Sequence, residues 1–240
     1  MRTVATVSSA LPADADGPLS GGAERVAGRD RDRDRAQRLP GPHPGRDDCE
    51  VSTTHPPALA PGIVPPQRID LGDLVVRRWE TGDLTAQRGA INASFDHLHP
   101  WMPWLPTPRT QEEQRVFNDI AATGWPSADG DFGYGIFDSE GTLLGAVGLH
   151  DRVGPAALEI GYWCHIAYTG RGIITRAVAA LTDVALRLPG IEQVQIRCDA
   201  ANERSAAVPR RLGYRLDRIE TRAVNAPAET GHGLVFVAGA

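Results

Sequence analysis

LEIGYWCHIAYTGRGIIT, from Leu158 to Thr175, is the stretch whose reading decides the fold. An apolar strand pattern runs into Gly170-Arg171-Gly172, and an apolar helix pattern starts directly behind it. The first turn of a helix leaves backbone N–H groups without helical partners, and the helix dipole adds positive potential there. Such a joint binds anions, phosphate above all. Gly170 and Gly172 let the backbone approach an anion with no Cβ in the way. Thr175 adds a first-turn hydroxyl, and Arg171 and Arg176 add positive charge. Taken alone, the joint reads equally well as a plain strand-to-helix turn with solvated arginines.

Working outward, residues 172–188 carry helical spacing, with Ile174, Val178, Leu181, Ala185 and Leu188 on one side. Pro189-Gly190 ends that helix. EQVQIRCD (192–199) reads as a strand, NERSAAVPRRLGY (202–214) as a short helix, and residues 214–222 and 232–239 as two closing strands. Upstream, residues 131–141 and 142–152 form two strands joined at Ser139-Glu140-Gly141, a hairpin signal. Thr110 and Glu113 frame a capping box that opens a helix to Gly124. Residues 96–110 hold four prolines and two tryptophans, which excludes a regular helix. LVVRRW (74–79) is the first strand, and residues 81–95 follow as a helix capped by Thr81 or Asp83. The order β-α-α-β-β-β-α-β-α-β-β is α+β (an α/β mixed sheet) in one domain.

Residues 1–65 are different. RDRDRDR (29–35), PGPHPGR (40–46) and HPPALAPGIVPP (55–66) cannot bury enough apolar surface to offset ordering entropy. The expectation is a disordered extension over 1–65 and one folded domain over 66–240. Val51 is an alternative start, just ahead of that domain. Hydrophobic residues make up 41% of the chain, enough for one ordinary core. The net charge of −5 leaves no basic surplus for nucleic acid. No apolar run approaches a membrane span, and the N-terminus is a poor signal peptide, so the reading is cytoplasmic. Cys49, Cys164 and Cys198 are odd in number and show no C-x-x-C spacing, which fits reduced thiols rather than a zinc site.

Asn202 to Tyr214 follows the pattern Asn-x-x-Ser-x-x-Val-x-x-x-Leu-Gly-Tyr, some thirty residues after the Gly-x-Gly joint. With the element order, this resembles the GCN5-related N-acetyltransferase (GNAT) superfamily over roughly 71–237. IGYW before the loop, GxGIxT within it and HPWMPW resemble its RimJ/RimL branch of ribosomal-protein N-terminal acetyltransferases. Thr169 and Ile174 depart from the superfamily's Gln/Arg-x-x-Gly-x-Gly/Ala loop, while Gly172 matches it. The resemblance implies a GNAT-like acyl-coenzyme A fold whose central strands, here 156–164 and 192–199, splay apart around pantetheine. It implies acetyl-coenzyme A as co-substrate, no metal, and a primary amine as acceptor: a protein N-terminus or a small amine. The pyrophosphate sits at Gly170, Arg171, Gly172, Ile173, Ile174 and Thr175. Asn202 anchors the pantetheine region, and the strand end through Cys164 and Ile166 borders the thioester. His97, Trp101 and Trp104, with His99 and Met102, border the acceptor site. Another acyl donor, an antibiotic acceptor or a non-catalytic coenzyme A sensor remains open, as do monomer and homodimer.

Direct transfer needs the amine to lose a proton, the thioester oxygen to be stabilised, and the departing thiolate to receive a proton. Ser205, one helical turn from Asn202, is chosen as the thiol-side donor. Glu159 is chosen as base, since alternation puts Glu159, Gly161, Trp163 and His165 on one strand face. His165 is the runner-up. A backbone N–H near Trp163 or Cys164 serves the oxyanion. The Cys164 side chain reads as packing. Pro209 cannot donate to the Ser205 carbonyl, so a bend or a freed carbonyl is expected there. His97 and His99 lack a third ligand nearby for a metal.

Overall fold

The computed structural model describes residues 57–125 and 131–239, without the side chains of 122–124. The expectations placed on residues 1–56, including the Arg/Asp run, Cys49 and Val51, lie outside the described residues. Packing starts earlier than the expected boundary at 66. Leu59 is in the main core, and Ala58 N–H donates to Asp151 Oδ2 at 2.8 Å.

The described chain runs β1 (Arg68–Asp70), β2 (Leu74–Arg78), α1 (Leu84–Ala93), α2 (Phe95–Leu98), α3 (Gln111–Gly124), β3 (Asp131–Asp138) and β4 (Leu143–His150). It continues through β5 (Ala157–Cys164), α4 (Ile173–Ala185), β6 (Gln193–Asp199), α5 (Glu203–Arg211), β7 (Arg215–Thr221) and β8 (His232–Gly239). The eight strands form one sheet in the order β1-β2-β3-β4-β5-β6-β8-β7. All pairs are antiparallel except β5–β6.

Local chemistry accounts for several joints. Thr110 and Glu113 form the expected capping box on α3. Asp138 Oδ1 accepts from Glu140 and Thr142 N–H, and Gly141 takes φ 82°, closing the β3–β4 hairpin. Asp83 does not cap with its side chain. Its carboxylate is held by Arg77 at 2.8 Å and by Glu80 N–H. Strand β1 is an addition to the expected set.

Register separates the sheet's two faces. Tyr134, Val147, Leu149, Leu158, Ile160 and Ile196 share one face and the main core with Ile173, Ala177, Val178, Leu181 and Ala185 of α4. Trp79, Ala146 and Trp163 lie on the other face, against Ala90 of α1 and Ala121 of α3. Here these are the α4 face and the α1 face.

The parallel β5–β6 pairing covers only Ala157↔Gln193, Leu158↔Val194 and Glu159↔Gln195. Beyond Glu159 the two strands separate. His165 N–H donates to Leu144 O on the β4 side, while Ala156 O accepts from Glu192 and Gln193 on the β6 side. Strand alternation then turns the backbone of Tyr162 and Cys164 into the opening. An N–H there has no strand partner and is free for a ligand.

Candidate active site

Gly172 precedes α4 with φ 74°, and Gly170 has φ 76°. A Cβ on either would meet nothing within 4 Å, so the loop surface is open. The first helical bond runs from Arg176 N–H to Gly172 O, which leaves the amides of Ile173, Ile174 and Thr175 facing out of the helix end. The side chains of Ile173 and Ile174 join or flank the core, so only their amides face an anion. Thr175 sits half-buried in the first turn. Arg171 is exposed at the loop, bonded to Ala167 O at 3.2 Å and stacked over Tyr168 at 5.1 Å. Arg176 was expected to face phosphate. It is instead tied to Asp73 and to Leu71 O at 2.9 Å. A guanidinium already paired with a carboxylate offers less to an anion than the exposed helix end and Arg171 do.

The opening between β5 and β6 faces α5. Asn202 caps α5, accepting from Ser205 N–H at 3.1 Å. Ser205 Oγ donates to Tyr162 Oη at 3.2 Å, and Tyr162 O–H donates to Ser205 O at 2.9 Å. Tyr162 was not anticipated. Alternation alone puts it opposite Glu159, on the α4 face of the strand, which is the signal that finds it. Burial raises the Tyr162 hydroxyl above its ordinary value, so it stays a neutral donor. The Cys198 thiol faces the same hydroxyls, and burial pushes it up to about 11. Cys164 is likewise pushed up to about 11 by burial, and its thiol points at Leu144 O and His165 O. A thiol of that kind is inert, leaving the Cys164 amide as its useful group. Ile166 has its N–H bonded to Ser94 Oγ at 3.0 Å. Only its exposed side chain remains for a ligand.

The freed carbonyl foreseen at Ser205 is real. Pro209 lacks the amide that would bond Ser205 O, and Tyr162 from β5 supplies the donor. A testable coupling follows. Tyr162→Phe orphans the carbonyl and costs about 1 kcal/mol. In a Pro209→Ala background the restored amide takes over the carbonyl, so the same change costs less. Pro209→Ala alone raises stability, since proline disfavours a helix interior. Equal Tyr162→Phe costs in both backgrounds, by urea melts, overturn this account.

Ser205 and Glu159 stand on opposite faces of β5. Glu159 is 7% exposed and paired with Arg152 at 2.7 Å and Arg197 at 3.4 Å. Burial alone would raise its carboxyl, but Arg152, Arg197 and His150 outweigh burial and hold it below the usual range. A carboxylate held that way is a poor proton acceptor at neutral pH, which counts against the expected role of Glu159 as base. His165 Nδ1 accepts from Ala167 N–H at 3.1 Å, and burial lowers its imidazole. Its ring caps a 3-10 turn at Ile166–Tyr168.

On the α1 face, Trp104 and Met102 pack with Leu98, Leu105 and Trp163. His97 Nδ1 stands 3.5 Å from Arg204 of α5, and Ala228 N–H bonds Pro100 O at 2.9 Å. Trp101 is half-buried in the same turn. His99 bonds Leu105 O at 2.9 Å and stacks on Phe95, a structural place rather than a metal ligand's. Arg109, missed in the sequence, anchors this loop by donating to Trp104 O at 2.7 Å. Among the described residues, no group of three or more His, Cys, Asp or Glu could hold a metal ion. Among them, too, no helix is long and apolar enough to cross a membrane.

The arrangement is a strand opening with free amides, a phosphate-ready helix end on one face and an aromatic loop on the other. The chain is similar in fold to several solved structures. One is RimL, a ribosomal L7/L12 α-N-protein acetyltransferase in complex with coenzyme A (21% identity, 72% of this chain and 97% of that one, TM-score 0.63). Another is Mycobacterium smegmatis RimJ with coenzyme A disulfide (20% identity, 74% and 87%, TM-score 0.60). A third is MccE, a microcin C7 self-immunity acetyltransferase with acetyl-coenzyme A and AMP (17% identity, 75% and 99%, TM-score 0.66). At such identities the likeness is one of fold. The candidate ribosomal N-acetyltransferase YdaF of Bacillus subtilis (strain 168) is 40% identical over 77 residues, 31% of this chain. The matched segment spans 42% of that relative's length. The family profile described as Acetyltransferase (GNAT) domain matches residues 73–215, more than half of the chain. The chain belongs to the acetyltransferase (GNAT) domain family.

Proposed function

We propose that this protein is an acetyl-coenzyme A-dependent N-acetyltransferase acting on a primary amine, a protein N-terminus first, by direct attack in a ternary complex. The observation that carries the reading is the β5–β6 opening beyond Glu159, with the open amino end of α4 beside it. The residues present fit the co-substrate. Gly170, Gly172 and the Ile173–Thr175 amides suit a pyrophosphate, with Arg171 beside them. The free N–H and C=O groups of Tyr162 and Cys164 suit the amides of a pantetheine arm. The co-substrate supplies an activated acetyl group as a thioester. The Cys164 N–H stabilises the oxyanion, and the hydroxyls of Ser205 and Tyr162 stand at the sulfur. The amine enters on the α1 face, past His97, Trp101 and Trp104.

The name of RimL, a ribosomal L7/L12 α-N-protein acetyltransferase, favours a ribosomal-protein N-terminus, and a chain with that acceptor works in the cytoplasm. MccE, whose name joins acetyl transfer to microcin immunity, makes small amines the second acceptor class. Acetyl-coenzyme A is expected to raise the melting temperature, by about 2.7 kcal/mol of stability at a hundredfold excess over Kd. Gly172→Val is expected to abolish that shift, because a β-branched residue resists φ 74° and crowds the helix end. N-terminal peptides, screened against small amines, are expected to release free thiol. Stabilisation without thiol release from any amine means a coenzyme A-binding sensor; no stabilisation removes both readings.

A further inference from the structure

His150 closes β4 on the α1 face, directly across from Glu159. Its Nδ1 lies 2.6 Å from Asp131 Oδ1 on β3. A carboxylate on Nδ1 makes Nδ1 the donor, which in the neutral ring leaves the lone pair on Nε2. Nε2 is aimed along the sheet. It lies 3.1 Å from the place of a Cβ on Gly148 and 3.1 Å from that of a Cβ on Gly161. Gly133, Gly148 and Gly161 are register partners across β3, β4 and β5, a transverse row with no side chains. The ring occupies space that any larger residue at 148 or 161 would contest. Gly161 immediately precedes Tyr162, whose amide faces the opening. The imidazole therefore leans from the Glu159 row one row closer to that opening, on the face where Trp163 meets the aromatic loop.

We propose that His150, oriented by Asp131, is the group that accepts the proton of the attacking amine. This rests on the acetyl-transfer reading above. The charged groups beside the ring are Asp131 on β3 and Glu159 on β5, and Glu159 is itself paired with Arg152 on the connecting loop and Arg197 on β6. Glu159 is spent on two guanidiniums, while the His150 side chain has one carboxylate partner and is 24% exposed. In the step, the amine nitrogen bonds the thioester carbonyl carbon and the C–S bond breaks. The N–H proton passes through solvent to His150 Nε2, and the departing thiolate takes a proton from the hydroxyl pair at Ser205, which solvent restores. His150 returns its proton to solvent, so an amine and a thioester become an amide and a thiol.

The test is kcat/KM against pH for the wild type, His150→Gln and Asp131→Asn, with melting curves taken with and without acetyl-coenzyme A. Glutamine keeps a bond to Asp131 but is no base. His150→Gln is expected to lose about 100-fold at pH 7, to regain rate as pH rises toward the amine's own pKa, and to keep the acetyl-coenzyme A shift. Asp131→Asn is expected to lose less, about 10-fold, with the shift intact, since the imidazole remains but its tautomer is no longer fixed. A wild type that transfers acetyl while His150→Gln follows the same pH–rate curve overturns this role alone. A wild type that releases no thiol with any amine overturns the acetyl-transfer reading and this role together.

Discussion

Glu159→Gln destabilises the protein by about 3 kcal/mol at neutral pH, the cost of breaking a buried ion pair from one side. The carboxylate is 7% exposed and shared by Arg152 and Arg197, so the amide removes the buried charge that both guanidiniums face, and among the described residues Arg197 keeps only Glu220, at 3.8 Å. The sign of the pH dependence is fixed by the direction of the shift. The folded carboxyl titrates below its unfolded value, so its stabilisation is full above the unfolded pKa, near ~4.3. It fades as pH falls through the folded pKa. Urea melts at pH 7 and in the acid range should therefore show a wild-type advantage that shrinks on acidification. A difference under about 0.5 kcal/mol at pH 7, the level of ordinary surface changes, sinks the assignment. The same variant separates structure from chemistry. On the proposal that His150 is the base, pH dependence of the rate should persist in Glu159→Gln. If that dependence vanishes, the base role returns to Glu159.

That reassignment shows what the sequence carries and what it lacks. The joint at Leu158–Thr175, the capping box at Thr110 and the Asn202 helix are local patterns, and local patterns are legible because their partners lie within one turn. The freed Ser205 carbonyl was legible for the same reason, since Pro209 sits four residues on. Its new donor, Tyr162, was not, because it arrives from a strand 43 residues away. Arg176 reads as a phosphate ligand until Asp73 reaches it from 103 residues upstream. Alternation put Glu159 on the α1 face but is silent on what crosses the strands beside it. Only register brings His150 and Asp131 into one row and lines up Gly133, Gly148 and Gly161 beside it. Strand β1 has three residues, too few for a period of two to show.

Gly145 is the second site where register decides, and the expected effect there is as large. It is paired with Cys164. A Cβ on it would lie 2.5 Å from Trp163 O, 3.2 Å from Cys164 Cα and 3.4 Å from Ile174 Cδ1. The first two are backbone atoms and cannot rotate away. Gly145→Ala must therefore push the end of β5 off β4, where β6 no longer braces it from the other side. The cost is about 3 kcal/mol, the upper range for an overpacked core, and chemical denaturation measures it. Gly89→Ala is the matched control. It lies exposed within α1 with nothing within 4 Å of a new Cβ. There the change should add about 0.5–1 kcal/mol through helix propensity. The two alanines thus move stability in opposite directions: helix propensity acts unopposed at position 89, and register creates the clash at position 145. The displaced segment is also the one that turns its amides into the opening, so Gly145→Ala should lose the acetyl-coenzyme A melting shift even at a temperature where it stays folded. Retention of the full shift would mean that the amides of Tyr162 and Cys164 do not hold the co-substrate, and that the anion site at α4 binds it without them.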